Sequence, residues 1–410
     1  MRNLEKSVPV IRFKGFSEAW EQREVSDYAI NTYGGGTPKT NVPEYWSGEI
    51  PWIQSSDLLI SNLFNVIPKK YITELAVKSS ATKFIPANSI AIVSRVGVGK
   101  LVFMPFEYTT SQDFLSLSNL QVDSNFGVYS IYMMLQKELK NIQGTSIKGI
   151  TKTDLLEKNI NKPLSKEEQQ KIGGFFKQLD NTITLHQRKL DALKQMKKAF
   201  SQQIFPENNR KKPKIRFTSF YEEWEQRKIG EYGYFYYGKS APKWSVAQDA
   251  TTPCVRYGEL YTKFGPKIDI VHSYTNIDKS NLKFSSGNEV LVPRVGENPL
   301  DFSNCSWLSI SNVAIGEMIS VYTTEQYPLF IAYYFRSKMK YEFAKRVEGG
   351  NVSNLYYSYL EDILISVPSI EEQKKIAEFL NKIDITINLL QNKLDRIKEL
   401  KKAYLQNMFI

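Results

Sequence analysis

The chain has 410 residues and a formal net charge of +11, with 42% hydrophobic and 24% charged residues. This composition excludes an intrinsically disordered chain and allows two or three packed domains. The basic excess favours a polyanionic partner, nucleic acid before membrane, because the sequence contains no long apolar run and no basic amphipathic anchor. The N-terminal residues lack the apolar core of a signal peptide, and the only two cysteines, Cys254 and Cys305, are too few for a disulfide framework. We therefore expect a cytoplasmic protein.

A leading segment begins each half of the chain. Residues 11–23 (IRFKGFSEAWEQR) recur as residues 215–227 (IRFTSFYEEWEQR), an offset of 204 residues with 9 identities in 13 positions. Trp20 and Trp224 occupy equivalent places, and we expect both to pack the leading segment into the fold rather than stack on a nucleic-acid base. The chain is therefore an internal duplication.

A globular region follows each leading segment. Short apolar or β-branched runs at residues 89–93, 100–104 and 289–292 alternate with Gly, Pro, Asn and Ser, a pattern typical of strands and loops. One helix in each half is predicted, near residues 128–140 and 329–345. Each half is thus predicted to be an α+β globule.

The two globular regions have diverged, and only short anchors still align. Residues 51–58 lie opposite residues 253–260, and Arg95-Val96-Gly97 lies opposite Arg294-Val295-Gly296. In a duplicated protein, the parts with the same task in both halves stay alike, whereas the parts that meet different targets diverge. The pattern indicates two readers of different targets on a shared frame.

A long helix is predicted at the end of each half. Residues 167–205 and 371–409 share 20 identities in 39 positions at the same offset of 204. Ser165 precedes Glu168, and Ser369 precedes Glu372, with the spacing of a capping box, in which the serine and the glutamate each satisfy a backbone amide.

Apolar residues then recur at steps of three and four, as in a coiled-coil seam, over a helix of roughly 60 Å at about 1.5 Å per residue. We expect the two helices to pair with each other or with helices of a partner. The seam and docking residues are Ile172, Phe176, Leu179, Ile183, Leu190, Leu193, Ile376, Leu380, Ile383, Ile387, Leu390, Leu394 and Ile397. His186 falls in this seam, and we expect it to be partly buried.

Taken together, these motifs resemble the specificity subunit of a type I restriction-modification system. They are the leading segment, the Gly-Gly-Gly-Thr-Pro-Lys turn at 34–39, the IPWIQSSDL run at 50–58, the Ser-x-Glu-Glu-Gln helix start, and the second round of the same order. The resemblance spans the chain. The second half departs from it at residues 238–242, where Gly-Lys-Ser-Ala-Pro replaces the Gly-Gly-Thr-Pro pattern.

The resemblance implies a domain plan and partners. Residues 1–164 are expected to form a first target recognition domain and residues 207–367 a linker and a second, each reading one half of a split, asymmetric DNA site. Residues 165–206 and 368–410 are expected to be spacer helices that pair antiparallel, with pseudo-two-fold symmetry, and dock two adenine-N6 methyltransferase subunits. Endonuclease/translocase subunits would complete the complex. S-adenosylmethionine, ATP and Mg are expected in those partners, and no cofactor or metal in this chain.

Catalytic motifs are missing from the sequence. Adenine methylation is typically marked by an Asn/Asp-Pro-Pro-aromatic motif, and the chain has no Pro-Pro pair. Residues 97–101 lack the spacing and the hydroxyl residue of a phosphate-binding loop. With only two histidines, His-based catalysis is disfavoured as well. We therefore expect a non-catalytic specificity subunit whose chemistry is supplied by its partners.

Two alternatives belong to other classes. One is a stand-alone sequence-specific DNA-binding regulator. The other is a metal-dependent nuclease that uses Asp123 together with Glu138-Leu139-Lys140, a loose match to an Asp…Glu-x-Lys pattern.

DNA contacts need Arg, Lys, Asn, Gln, Ser or Thr on loops or strand ends, and backbone amides for phosphates. The glycines at 34–36 would let a phosphate approach the backbone, although a plain strand-connecting turn explains them equally well. In the first globule the candidates are Gly35, Thr37, Lys39, Gln54, Ser55, Ser56, Arg95, Lys100, Thr145, Ser146 and Lys148. In the second they are Lys239, Lys243, Arg256, Tyr257, Arg294, Asn351, Ser353 and Asn354.

Overall fold

The chain folds into two units, described here from a computed structural model for residues 8–141, 149–207, 210–239, 241–247 and 249–410. The first unit comprises residues 1–187 and 393–410, and the second comprises residues 188–392. Both boundaries fall inside long helices, so each long helix contributes residues to both units. The domain limits expected from the sequence stay predictions.

The first unit combines nine strands with four helices among the described residues. The strands are β1 (Glu21–Glu24), β2 (Ala29–Gly34), β3 (Ile50–Ile53), β4 (Lys70–Ile72), β5 (Ser89–Val93), β6 (Leu101–Met104), β7 (Thr109–Thr110), β8 (Phe114–Leu120) and β9 (Asn159–Lys162). The helices are α1 (Glu74–Lys78), α2 (Ser124–Asn141), α3 (Lys152–Leu156) and α4 (Lys166–Gln203), the last of which continues into the second unit. The sheet orders are β2-β8-β5-β6, β4-β3-β7 and β1-β9.

The second unit has a larger set of short strands. They are β10 (Glu225–Lys228), β11 (Gly233–Tyr237), β12 (Thr252–Val255), β13 (Lys267–Ile268), β14 (Ser273–Thr275), β15 (Phe284–Ser286), β16 (Glu289–Pro293), β17 (Val295–Gly296), β18 (Ser306–Leu308), β19 (Ser311–Ile315), β20 (Ile319–Thr324), β21 (Glu348–Gly349), β22 (Ser353–Asn354) and β23 (Leu364–Val367). The helices are α5 (Tyr257–Thr262), α6 (Pro328–Lys338), α7 (Lys340–Ala344) and α8 (Ile370–Met408), which continues into the first unit. The sheet orders are β11-β20-β16-β18-β13, β14-β12-β19-β15, β17-β22-β21 and β10-β23.

The α+β class and the two long helices are confirmed. The predicted strands correspond to β5, β6 and β16, and the two predicted shorter helices correspond to α2 and to the α6–α7 pair. The order β2-β8-β5-β6 in the first unit recurs as β11-β20-β16-β18 in the second. Each globule therefore has its own central sheet, and the two sheets have the same strand order even though the sequences have diverged.

The hydrophobic core of each unit includes residues at the C-terminal end of a long helix: the end of α8 in the first unit and the end of α4 in the second. In the first unit Phe409, at the end of the chain, packs on Trp20 and Phe126 with ring centroids 6.4 and 5.6 Å apart. In the second unit Phe205, which follows α4, packs on Phe330 at 5.6 Å. Trp20 is only 4% exposed and Trp224 only 1%, so the prediction that both tryptophans pack within the fold is confirmed.

The helix starts differ from the predicted capping box in one respect. The hydroxyl of Ser165 does accept a hydrogen bond from the Glu168 amide at 3.4 Å, as expected for a cap. The Glu168 carboxylate, however, does not return to the backbone: it accepts two bonds from Arg12 of the leading segment, at 2.7 and 2.8 Å. A bidentate guanidinium is the stronger donor, because charge-assisted hydrogen bonds exceed those from a neutral amide. The reciprocal half of the predicted box was therefore wrong.

The second copy repeats this arrangement at the same offset. Arg216 donates to both carboxylate oxygens of Glu372 at 2.8 Å, and Ser369 caps α8 through the Glu372 amide. The hydrogen bond to Glu372 raises the pKa of Arg216 above its ordinary value. In each half, the leading segment supplies the arginine and the helix start supplies the glutamate of a buried ion pair, which explains why both segments were retained.

Contacts between α4 and α8 run antiparallel inside each unit. In the first unit Phe175 packs on Tyr404, and Asp180 bonds to Lys401. In the second, Lys197 bonds to Asp384 at 2.5 Å, and Phe200 packs on Phe379. As the residue number rises along α4, the number of the contacting residue in α8 falls, as expected for antiparallel helices. Pairing along the whole length as a coiled coil stays a prediction.

The predicted seam residues are all buried or half-buried. Ile172 and Phe176 belong to the core of the first unit, and Ile376 and Leu380 to that of the second. Ile383, Leu190 and Leu394 are also buried. The half-buried remainder are Leu179, Ile183, Leu193, Ile387, Leu390 and Ile397. His186 is half-buried as predicted, and its Nδ1 is buried without a hydrogen-bond partner among the described residues.

Candidate nucleic-acid interface

The turn between β5 and β6 forms the centre of the candidate site in the first unit. Gly97 and Gly99 have φ of +92° and +96°, which favours glycine and folds the chain back tightly. Lys100, at the end of the turn, donates to the backbone carbonyl of Ser55 at 3.0 Å. The predicted residues Gln54, Ser55, Ser56 and Lys100 are thereby brought together. The Lys100 side chain therefore links the β5–β6 turn to the segment that contains Ser55.

A basic cleft opens on the other side of this turn. It has a volume of about 810 Å³ and is lined by residues 94–98 and 149–152. Arg95 is exposed there, and the Lys152 ammonium lies close to Gly34. Burial lowers the pKa of Lys152, and the positive charges of Arg95 and Lys83 lower it further. Arg95 and Lys152 line the cleft, Lys83 adds a third positive charge nearby, and a bound anion would offset their mutual repulsion.

The glycine turn at 34–36 is built for close packing. A side chain at Gly35 would collide with the backbone of Thr110 and Ser111. The Gly36 amide donates to the Thr110 carbonyl at 2.9 Å, so it is already used within the fold. Thr37 donates to the side chain of Gln112. These contacts support the strand-connecting explanation for the glycines.

The other candidates of the first unit lie apart from the cleft or outside the described residues. Lys39 is exposed, and its carbonyl accepts a hydrogen bond from the Trp46 indole at 3.1 Å. Thr145, Ser146 and Lys148 lie outside the described residues. A DNA contact by any of these residues stays a prediction.

A smaller cleft in the second unit gathers three of the predicted residues. Lys243, Arg256 and Tyr257 line a space of about 320 Å³ beside the start of α5, together with Glu259 and Glu317. The Nε of Arg256 is buried and has no hydrogen-bond partner among the described residues. Beside this cleft Trp244 is 79% exposed, a residue that composition and motif patterns did not single out.

Arg294 is the first residue after β16, and Arg95, which aligns with it in the Arg-Val-Gly run, is the second residue after β5. Its guanidinium carbon lies 4.4 Å from the centre of the Tyr237 ring and 5.4 Å from that of Tyr356. Both tyrosines escaped the sequence analysis. The offset of 204 places Tyr356 opposite Lys152, a residue that the sequence did not single out either.

The remaining candidates of the second unit have structural partners. The predicted residues Ser353 and Asn354 form β22, which pairs with β17 directly after Arg294. Ser353 is buried, whereas Asn351 is exposed in the turn before it. Lys239 is exposed and donates to the Ser280 carbonyl at 3.4 Å. Asn354 is thus placed opposite Val295, the residue after Arg294, while Lys239 lies at another loop.

The residues proposed for a nuclease do not form a site. The Asp123 carboxylate accepts from the Phe126 amide at 2.9 Å as the cap of α2. Glu138 is paired with Lys158 at 2.6 Å. Fifteen residues of helix separate the two carboxylates by roughly 22 Å, too far to share one metal ion. Within the described part of the chain, no group of three or more His, Cys, Asp and Glu residues is arranged to hold a metal.

The cysteines and the second histidine also have packing roles. Cys254 and Cys305 are buried as free thiols, and burial raises the pKa of Cys254 to about 11. A thiol with a raised pKa is a poor nucleophile at neutral pH. The His272 ring stacks on Phe264 with centroids 5.7 Å apart.

Comparison with known proteins decides the family. The pattern described as "Type I restriction modification DNA specificity domain" matches residues 17–195 and again residues 221–399. The chain belongs to this family. It is therefore a DNA specificity subunit of a type I restriction-modification system and not the catalytic subunit, as the sequence led us to expect.

Curated relatives are named as specificity subunits of type I restriction enzymes. The MjaIX specificity subunit of Methanocaldococcus jannaschii is 24% identical, over 93% of this chain and 90% of that protein. The EcoR124I/EcoR124II specificity subunit of Escherichia coli is 35% identical, over 37% of this chain and 40% of that protein. The first similarity covers both halves of the duplication.

Two solved structures share the fold of this specificity subunit. The S subunit from M. genitalium matches with a TM-score of 0.64 at 13% identity, over 98% of this chain and 99% of that one. A chain from a structure on complex assembly of the type I R-M system matches with a TM-score of 0.52 at 14% identity, over 94% and 96%. Neither the long helices nor any shorter helix among the described residues has the length and apolar character that a membrane crossing requires.

Proposed function

We propose that this specificity subunit reads a bipartite, asymmetric DNA target, with one half-site for each globular unit and a gap that depends on α4 and α8. The observation that carries the proposal is the contrast between equivalent strand ends. The cleft beside the turn after β5 presents Arg95 and, from the start of α3, Lys152, whereas the turn after β16 presents Arg294 between two tyrosines. The same scaffold with different side chains is what two unlike half-sites require.

The basic cleft of the first unit is proposed to bind a backbone phosphate. Replacing Lys152 by Gln removes one positive charge, so the DNA affinity of the complex with the methyltransferase should fall equally for target and unrelated sequences. The slope of log affinity against log salt should fall by about 0.9, the value for one phosphate contact. Fluorescence anisotropy titrations at four salt concentrations measure both quantities.

Lys78→Gln serves as the matched control, because Lys78 lies on the short helix α1 and pairs with Glu74 at 3.4 Å on the surface. It should leave the slope unchanged. Equal slopes for wild type and Lys152→Gln, with both proteins folded, would contradict a phosphate site in the cleft.

The partners are proposed to be two copies of an adenine-N6 methyltransferase, joined by endonuclease/translocase subunits. The predicted seam residues are buried or half-buried, so we assign docking to more exposed apolar side chains on the helices. Leu185 and Leu389 lie 204 residues apart and are 66% and 65% exposed. Met196 and Leu400 form a second such pair, at 40% and 53% exposed. Exposed apolar residues repeated at the duplication offset support two copies of one partner.

Charged substitutions test this docking surface. Leu185→Glu together with Leu389→Glu should abolish co-purification of the methyltransferase, because each would bury a carboxylate in an apolar contact. Either single variant should retain one copy, which mass photometry of the complex would resolve. Leu75→Glu, at a 56% exposed position on α1, is the control. Unchanged two-copy complexes with the double variant would refute the surface.

The cofactors follow from the same proposal. S-adenosylmethionine, ATP and Mg belong to the partner subunits, where methylation and translocation take place. A stand-alone regulator would instead bind its target tightly without a methyltransferase. We place the complex in the cytoplasm, where the chromosome of a prokaryotic host is found.

A further inference from the structure

The side chain of Arg294 is held in place by aromatic rings on two different segments. Its guanidinium carbon lies 4.4 Å from the Tyr237 ring centre, at the end of β11, and 5.4 Å from the Tyr356 ring centre, just after β22. A planar guanidinium over aromatic faces gains cation–π stabilisation and loses rotamer freedom before any ligand arrives. The side chain is therefore pre-organised.

The backbone of Arg294 is fixed as well. Its amide donates to the Met318 carbonyl at 3.1 Å, and its carbonyl accepts from the Leu355 amide at 2.8 Å. Both partners lie on loops beside the candidate surface. With backbone and side chain both constrained, little conformational entropy remains to be lost when a ligand binds.

Arg294 also keeps unused donor capacity. Its Nε is buried without a hydrogen-bond partner among the described residues, and because the residue as a whole is only half-buried, the two terminal Nη groups are the donors left for a ligand. A guanidinium carries five N–H donors in a fixed fork. A ligand with two acceptors side by side in one plane would match such a fork.

The equivalent place in the first unit has another chemistry. Arg95 is exposed, and the residue opposite Tyr356 is Lys152, whose pKa is lowered by burial and by the nearby charges of Arg95 and Lys83. Clustered cations suit a phosphate, whereas one immobilised, planar guanidinium suits a base edge. Guanine presents O6 and N7 together in the major groove, and bidentate arginine is its commonest specific partner.

We propose that Arg294 reads a guanine in the second half-site by donating to O6 and N7 in the major groove, with Tyr237 and Tyr356 as positioning residues. This inference rests on the proposed bipartite function and adds the identity of one base.

The test is a chemical double-mutant cycle on the complete chain in complex with its methyltransferase. Each guanine of the mapped second half-site is replaced in turn by 7-deazaguanine, which lacks only the N7 acceptor. For the wild type, one position should weaken binding roughly 5- to 150-fold. Arg294→Ala should bind weakly and be insensitive to 7-deazaguanine at that position alone. Arg294→Lys should restore only part of the sensitivity, because an ammonium can donate to N7 but not as a planar fork held between two tyrosines.

Arg95→Ala is the matched control, and it should weaken binding to all sequences while the sensitivity at the second half-site persists. Thermal unfolding checks that each variant is folded. Sensitivity to 7-deazaguanine that survives in Arg294→Ala would overturn the inference, as would a second half-site without a sensitive guanine. A complex that binds no bipartite site at all would instead refute the proposed function.

Discussion

Glu372→Ala should destabilise the second unit by about 3–5 kcal/mol, the usual result of removing one member of a buried ion pair. The Glu372 side chain is 1% exposed and that of its partner Arg216 is 15% exposed, so the variant leaves a guanidinium charge with little access to water. Denaturant unfolding followed by tryptophan fluorescence measures the change, because Trp224 lies in the same core.

Two comparisons make the prediction specific to the buried pair. Glu74→Ala breaks an ion pair whose side chains are both 75% exposed, and it should cost no more than about 1 kcal/mol. The double variant Arg216→Met/Glu372→Met removes both charges and should be more stable than Glu372→Ala, because no unpaired charge remains. If Glu372→Ala and Glu74→Ala had equal effects, the pair would not anchor the leading segment to the helix.

The second large effect should come from lengthening the two helices. Inserting one heptad into α4 and one into α8 adds roughly 10 Å to each at about 1.5 Å per residue, and a multiple of 3.5 preserves the phase of the apolar seam. We expect the gap between the half-sites to lengthen by about three base pairs at roughly 3.4 Å each, with the bases of both half-sites unchanged.

A heptad insertion carries a cost in activity. Three base pairs also turn the duplex by about a third of a helical turn, since one turn holds roughly 10 base pairs. We therefore expect weaker binding than in the wild type. A pair of alanine-rich insertions of the same length keeps helix propensity high and serves as the control for the inserted sequence.

The duplication and the long helices were predictable because they leave local signals. The serine caps, the three-to-four residue spacing and the offset of 204 are all visible along the sequence. The central sheets were predictable only as strand content. Their order, for instance β2-β8-β5-β6, depends on pairing between distant segments, which short apolar runs do not specify.

The candidate sites were predicted less completely, for the same reason. Arg95 and Arg294 stood out as aligned strand ends, but Lys152 approaches Arg95 only because residues 149–152 line the same cleft. Glu168 was assigned to a backbone cap, since local spacing cannot reveal Arg12, which lies 156 residues away. The buried position of Ser353 likewise depends on strand pairing rather than on its neighbours in sequence.

Long-read mapping of methylated adenines tests the central claim most directly. It should be done in cells that carry the methyltransferase with either the wild-type chain or the variant with a heptad in each helix. For the wild type we predict one asymmetric motif, made of two unlike half-sites and a gap of fixed length. For the variant we predict the same half-sites with a longer gap. A continuous or palindromic motif, or an unchanged gap in an active variant, would contradict the account.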